Sequence, residues 1–227
     1  MDLQCAKNPI QCNLKISGIA LALTELGLFG AGATVPYLFM EQLRDFDPIC
    51  YYWCCFTVLT GIWEASFVTN YTLVGDQGHY LLVTATRVWN TKYSLLYLLP
   101  WKLAIVFYGE YAAYADREYM SLKDKWSRLI ESTHAFFCAT FSLFTLILYT
   151  LEEDERAEVA WAIAMGTQLM NSILYMGQYM VQVHELSSPN HNSEEFPCGR
   201  ALCKRPFMYV NAAWTLLPIY AIIRLFC

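Results

Sequence analysis

The sequence predicts an all-α polytopic membrane protein, a single helical bundle with about five transmembrane helices. Three observations predict it. Of 227 residues, 56% are hydrophobic and 16% aromatic while only 15% are charged, against about 25% charged in ordinary soluble domains. The charges gather in short segments between long apolar runs. A few ionisable side chains nevertheless stand inside those runs, where each costs several kcal/mol unless paired or hydrated. The formal net charge of −5 is dispersed, with no basic amphipathic run, which argues against a nucleic-acid partner. The N-terminal MDLQCAKNPIQCNLK is polar and lacks the charged-then-apolar layout of a cleaved signal peptide.

The first span is expected over Ile16–Met40. It carries Glu25 and small residues (Gly27, Gly30, Ala31, Gly32, Ala33) that would let a neighbouring helix approach closely. Glu25 is either a pocket residue or a group hydrogen-bonded to another helix. The charged turn EQLRDFDP leads to a second span, Ile49 to about Val74. Thr60 and Glu64 lie four residues apart on one face of it. Thr60 alone reads as a hydroxyl bonded back to its own helix, whereas an isolated carboxylate such as Glu64 reads as functional.

From Gly75 to Lys125 the pattern is mixed. SLLYLLPWKLAIVFYGEYAAY is apolar but interrupted by Pro100 and Lys102, so it reads as an interfacial helix or as a kinked extra span. The run Leu129–Leu151 exceeds the roughly 20 residues needed to cross a hydrocarbon core. Glu131 and His134 sit in its first turns, three residues apart and hence on one face. The acidic turn EEDERA joins it to a span at 158–183, whose Gln168, Asn171, Gln178 and Gln182 make an amide-rich face suited to interhelical hydrogen bonds or a polar wall. The last span, Pro206–Phe226, carries Asn211 and Trp214 three apart, for packing or for lining a cavity.

Among nine cysteines, four lie in apolar runs as small hydrophobes; Cys198 and Cys203 bracket a polar loop and read as free thiols or a local disulfide. With five spans, the N-terminal tail and the second and fourth loops share a side that holds most of the Lys and Arg, which the positive-inside rule would place in the cytosol.

Four pieces of the chain together resemble the emopamil-binding protein (EXPERA) family: GIWEASFVTNY, GEYAAYADREYMSLKD, DKWSRLIEST and YVNAAWTLLP. The likeness covers a four-helix region, 49–226, with 16–40 matching the extra first helix of the isomerase branch. Three departures stand out. Thr60 occupies the position of the isomerases' His, His134 occupies that of a Thr, and the stretch between Asp76 and Glu110 is longer.

The resemblance implies an integral membrane protein of the endoplasmic reticulum. It implies a sterol Δ8–Δ7 isomerase-like activity without cofactor or metal, in which Glu131, Glu64 and His134 are catalytic. Asn211, Trp214, Thr60, Asp124 and Tyr111 would bind substrate, with Asn211 orienting a carboxylate and Trp214 offering its face to a cation. Such chemistry needs an acid, a base and a lining for a carbocation; two carboxylates in a low-dielectric pocket suit it, because one can hold a proton while the other accepts one. The implied ligand is a sterol or cationic amphiphile, the setting is the lipid bilayer, and a second copy of the chain is a candidate partner. Two rivals stay open: a family member that binds such ligands without turnover, and a structural bundle whose buried carboxylates are merely paired.

Overall fold

A computed structural model describes residues 14–118, 125–205 and 207–226. Among the described residues eight α-helices follow one another: α1 Gly18–Phe39, α2 Glu41–Arg44, α3 Pro48–Thr69, α4 Tyr71–Val83, α5 Pro100–Tyr114, α6 Lys125–Thr150, α7 Asp154–His184 and α8 Phe207–Arg224. The protein is an all-α membrane bundle. Helices α1, α8 and residues 128–150 of α6 are each long and apolar enough to cross a membrane. The other two expected spans, α3 with 22 residues and α7 with 31, are of spanning length but are not among these three. Large apolar residues cover the outside of α1 and α7 alike, including Leu23, Leu28, Leu174 and Val181, each more than 60% exposed. A surface of that kind faces hydrocarbon rather than water.

The helix ends follow local chemistry. Asp47 caps α3 by accepting the amides of Ile49 and Cys50 at 3.0 Å, and Pro48 occupies the first turn, where its missing N–H costs nothing. The same carboxylate accepts Tyr220 Oη at 3.0 Å and pairs with Arg224 Nε at 3.3 Å, fastening the end of α8 to the start of α3. Asp154 and Glu155 open α7, where carboxylates complement the helix dipole.

The sequence-predicted second span is shorter than expected. It stops at Thr69, and α4 begins at Tyr71 after Asn70 turns the chain. The ambiguous stretch after it holds one short helix, α5, which packs along α4 as a hairpin. At 15 residues, α5 is only about 22 Å long, short of a hydrocarbon core of roughly 30 Å. Gly78 and Gly109 allow this pairing, since a Cβ on Gly78 would stand 3.1 Å from the carbonyl oxygen of Gly109. The hairpin is anchored to α3 by Ser66 Oγ donating to Trp101 O at 2.5 Å and by Phe67 stacked on Tyr108. A two-stranded antiparallel ribbon, β1 Lys15–Ser17 with β2 Lys92–Ser94, ties the entry of α1 to the loop before α5.

Among the described residues the apolar side chains gather in four clusters, two of them large. One, at the end where Asp47 and Arg224 meet, gathers Tyr51, Trp53, Cys54, Trp161 and Met165. The other packs Leu21 of α1 against Leu81, Val88, Leu103 and Val106. Gln168 belongs to the first: its Oε1 accepts Trp53 Nε1 at 2.8 Å, so this member of the amide-rich face serves interhelical bonding. All six cysteines among the described residues are free thiols, Cys198 and Cys203 included.

Candidate functional site

A cavity of about 280 Å³ lies toward the α4–α5 end of the bundle, walled by α3, α5, α6, α7 and α8. Helix α3 contributes Thr60, Trp63 and Glu64, and α6 contributes Glu131 and His134. Tyr108, Glu110 and Tyr111 enter from α5, Asn171 and Tyr175 from α7, and Asn211 and Trp214 from α8. Every sequence-predicted site residue that is described thus lines one cavity. Asp124 lies outside the described residues. No Lys or Arg lines the cavity among the described residues.

At its centre, the carboxylates of Glu64 and Glu131 and the imidazole of His134 each present a potential ligand atom within 4.8 Å of the other two. The pairing differs from the expected Glu131–His134 unit. The ion-pair contact of His134 is with Glu64, across the helix interface, at 3.7 Å from Nδ1 to Oε2. That distance is an ion-pair separation rather than a hydrogen bond, and neither ring nitrogen has a hydrogen-bond partner. His134 is only 9% exposed. Two carboxylates and an imidazole at this spacing can share and pass protons, stabilise a cation, or close on a divalent ion.

Thr60 is buried and donates to its own helix at Thr57 O, 3.0 Å away, so it brings no ionisable group. The imidazole that lines the cavity comes from α6, as His134. Trp214 presents its indole to the cavity and packs edge-on against Trp53 (4.9 Å) and Phe56 (5.6 Å). Asn211 does not hold a carboxylate by any contact seen; its Nδ2 donates to Phe207 O at 3.0 Å and Tyr111 Oη at 3.4 Å. Glu25 stands behind the wall, its Oε1 accepting Trp63 Nε1 at 3.1 Å, which is the interhelical reading of that residue.

Sequence reasoning missed a polar chain that leaves the cavity. Tyr111 Oη meets Tyr175 Oη at 2.6 Å, and Tyr175 donates to Asp116 Oδ2, also at 2.6 Å. Asp116 Oδ1 accepts Asn190 Nδ2 at 2.6 Å and the amide of Glu118 at 3.0 Å. Burial pushes the Asp116 carboxyl above its usual value, and the bonds from Tyr175 and Asn190 hold that rise back. Asn190 is in turn held by the fully buried Arg205, which donates to its carbonyl at 3.0 Å, bonds Tyr179 Oη and stacks on Phe196. Two signals pointed here. Tyr175 lies four residues beyond Asn171 on the polar face of α7, and Asp116 is the aspartate inside GEYAAYADREY.

A second missed feature closes the other side. Glu110 Oε1 forms an ion pair with Arg87 Nε at 2.8 Å and its Oε2 accepts the amide of Val88 at 3.0 Å, so the loop bearing Trp89 is pinned over the cavity.

No protein-family model, curated protein or solved structure matches this chain.

Proposed function

We propose that the protein is a sterol Δ8–Δ7 isomerase-like enzyme acting inside the membrane. The observation that carries the reading is the meeting of Glu64, Glu131 and His134 in an aromatic-lined cavity that, among the described residues, holds no Lys or Arg. Shifting the double bond requires a proton delivered to one carbon, a tertiary carbocation, and loss of a proton from a neighbouring carbon. In this reading Glu131 delivers the first proton. Glu64, balanced by His134, faces the cation and accepts the second, so the net proton count is unchanged. The indole of Trp214 adds π density facing the cation. The imidazole has moved from one helix to another relative to the family pattern, and its closeness to Glu64 supports an equivalent role in the new place.

The test is restoration of Δ7 sterols in cells lacking their own isomerase. Wild type should restore them, and Glu131→Gln and Glu64→Gln should each lower turnover at least about 100-fold, the scale of one general acid or base. Native-rate isomerisation by both variants would refute the assignment. Thr60 lacks a proton-transferring group, and that observation favours the rival, a binder of sterols or cationic amphiphiles without turnover. Specific sterol binding with no Δ7 product from wild type or from Thr60→His would select it.

A further inference from the structure

The charges of the group formed by Glu64, Glu131 and His134 do not balance. Two carboxylates face one imidazole, so a negative charge is left over even when the ring is protonated. Among the described residues no Lys or Arg lines the cavity to offset it. His134 is about nine-tenths buried, yet neither ring nitrogen has a hydrogen-bond partner among the described residues. The buried Oε2 of Glu64 has none either. The potential ligand atoms of all three side chains lie within 4.8 Å of one another. An imidazole and two carboxylates so placed offer lone pairs around one point, and burying them without a proton or a cation is costly.

We infer that Glu64, Glu131 and His134 form a binding site for a zinc ion, which competes with protons for the same atoms. Binding of the ion does not depend on the sterol reading. Its consequence for turnover rests on that reading, because a zinc ion held here takes the place of the proton that Glu131 delivers. The ion is thus an inhibitor of the proposed chemistry and not its cofactor.

The donor set selects the ion. Zn–N and Zn–O bonds of about 2.0–2.2 Å put neighbouring ligands of a tetrahedron roughly 3.4 Å apart. The 3.7 Å between His134 Nδ1 and Glu64 Oε2 is close to that spacing, and rotation of the flexible Glu131 side chain can take up the rest. Zn²⁺ has no geometric preference of its own and tolerates three irregularly placed ligands. Mg²⁺ demands near-ideal octahedral geometry, and Ca²⁺ takes about six to eight oxygens. Two carboxylates and a neutral imidazole around a divalent ion carry no net charge, which suits a buried site. Cys138 lies one turn beyond His134 on α6 but does not line the cavity; its Sγ faces the carbonyl oxygen of Ala164 at 3.7 Å. The fourth position therefore opens to the cavity, as in zinc sites that keep an exchangeable place for water.

In the experiment, the full chain purified in detergent and stripped with EDTA is dialysed against buffered Zn²⁺, and bound zinc is counted per chain. Wild type should take up a single ion. Glu64→Gln, Glu131→Gln and His134→Gln should each weaken binding at least about 100-fold, the upper end of what losing even a supporting bond around a metal costs. Cys198→Ser with Cys203→Ser should leave it unaltered. X-ray absorption at the zinc edge of wild type should show only nitrogen and oxygen neighbours at about 2.0–2.2 Å. Sulfur neighbours at about 2.3 Å would put the ion on cysteines and overturn the inference, whether or not the variants fold. So would wild-type zinc affinity in any of the three variants that melts as a folded protein, or failure of wild type to bind the ion. Saturating Zn²⁺ should also suppress formation of Δ7 sterol, and EDTA should restore it. Zinc bound at these residues with turnover undiminished would overturn the competition. A chain that binds zinc there yet makes no Δ7 sterol without it would overturn the sterol reading alone.

Discussion

Gly61→Ala tests how tightly the site depends on the approach of α3 to α6. Gly61 lies beside Thr60 and three residues before Glu64, and an added Cβ would collide with Ala139 Cβ while standing 3.5 Å from Ala135 O. One obstacle is a Cβ and the other a backbone oxygen, so neither can rotate away. Restoring an ordinary carbon–carbon contact of about 3.5–4 Å requires the helices to part by about 1 Å. Over-packing of this kind costs about 1–3 kcal/mol. The intrinsic helix preference of Ala over Gly returns up to about 1 kcal/mol, so a net loss of about 1–2 kcal/mol is expected. The separation also widens the 3.7 Å contact between His134 and Glu64, so sterol turnover should fall beyond what lost folded protein explains. The assay is thermal unfolding in detergent of Gly61→Ala, Ala139→Gly and the double variant, alongside isomerisation per folded molecule. Ala139→Gly removes the opposing methyl, so the double variant should regain about 1 kcal/mol relative to additivity. Wild-type stability of Gly61→Ala, or strict additivity in the cycle, would refute the close-approach argument.

Three further outcomes follow from contacts described above. Arg87→Met leaves the Glu110 carboxylate buried without its cation; because Arg87 is about a third exposed, the cost should be near 2 kcal/mol rather than the upper range for buried pairs, and adding Glu110→Gln should recover part of it in the same melts. Asp47→Ala should cost about 1–2 kcal/mol through loss of the α3 cap. Although burial pushes the Asp47 carboxyl up, the amides of Cys50 and Ile49, the Tyr220 hydroxyl and Arg224 together hold it below its ordinary 3.8. Its contribution is therefore full above pH 3.8 and lost as pH falls through the lower folded value, and Asp47→Ala should abolish that acid-side loss in melts across pH. Finally, moving the imidazole to α3 with Thr60→His plus His134→Thr should keep complementation, whereas His134→Thr alone should lose it; equal activity of the two would show that the imidazole is dispensable.

The bundle was legible because a bilayer imposes long apolar runs and makes each intramembrane charge conspicuous. Glu64, Glu131 and His134 stood out one by one for that reason, but the sequence held no information on which way α3 and α6 turn toward each other. It suggested Glu131 with His134 from their spacing of three, while the contact His134 makes is with Glu64 on another helix. The α4–α5 hairpin was hidden because Pro100 and Lys102 look like interruptions of a span, and only packing shows them at the start of a short helix. Asp116 escaped notice for a different cause. Beside Arg117 and Glu118 it resembles an ordinary solvated turn, and its burial arises from Tyr175 and Asn190, residues 59 and 74 positions away.

The clasp between Asp47 and Arg224 bears on the order in which the protein matures. One wall of the cavity, with Asn211 and Trp214, belongs to α8, the last helix to leave the ribosome among those described. Until it docks, Glu64, Glu131 and His134 line an open trough between α3, α6 and α7. Nascent chains must therefore carry this half-built trough through insertion until α8 docks on α7 and α3, with the tether at the opposite end of the bundle as one of its fastenings. Variants that loosen the tether should leave intermediates that are inserted yet unable to hold ligand, a class of defect that expression level alone would miss.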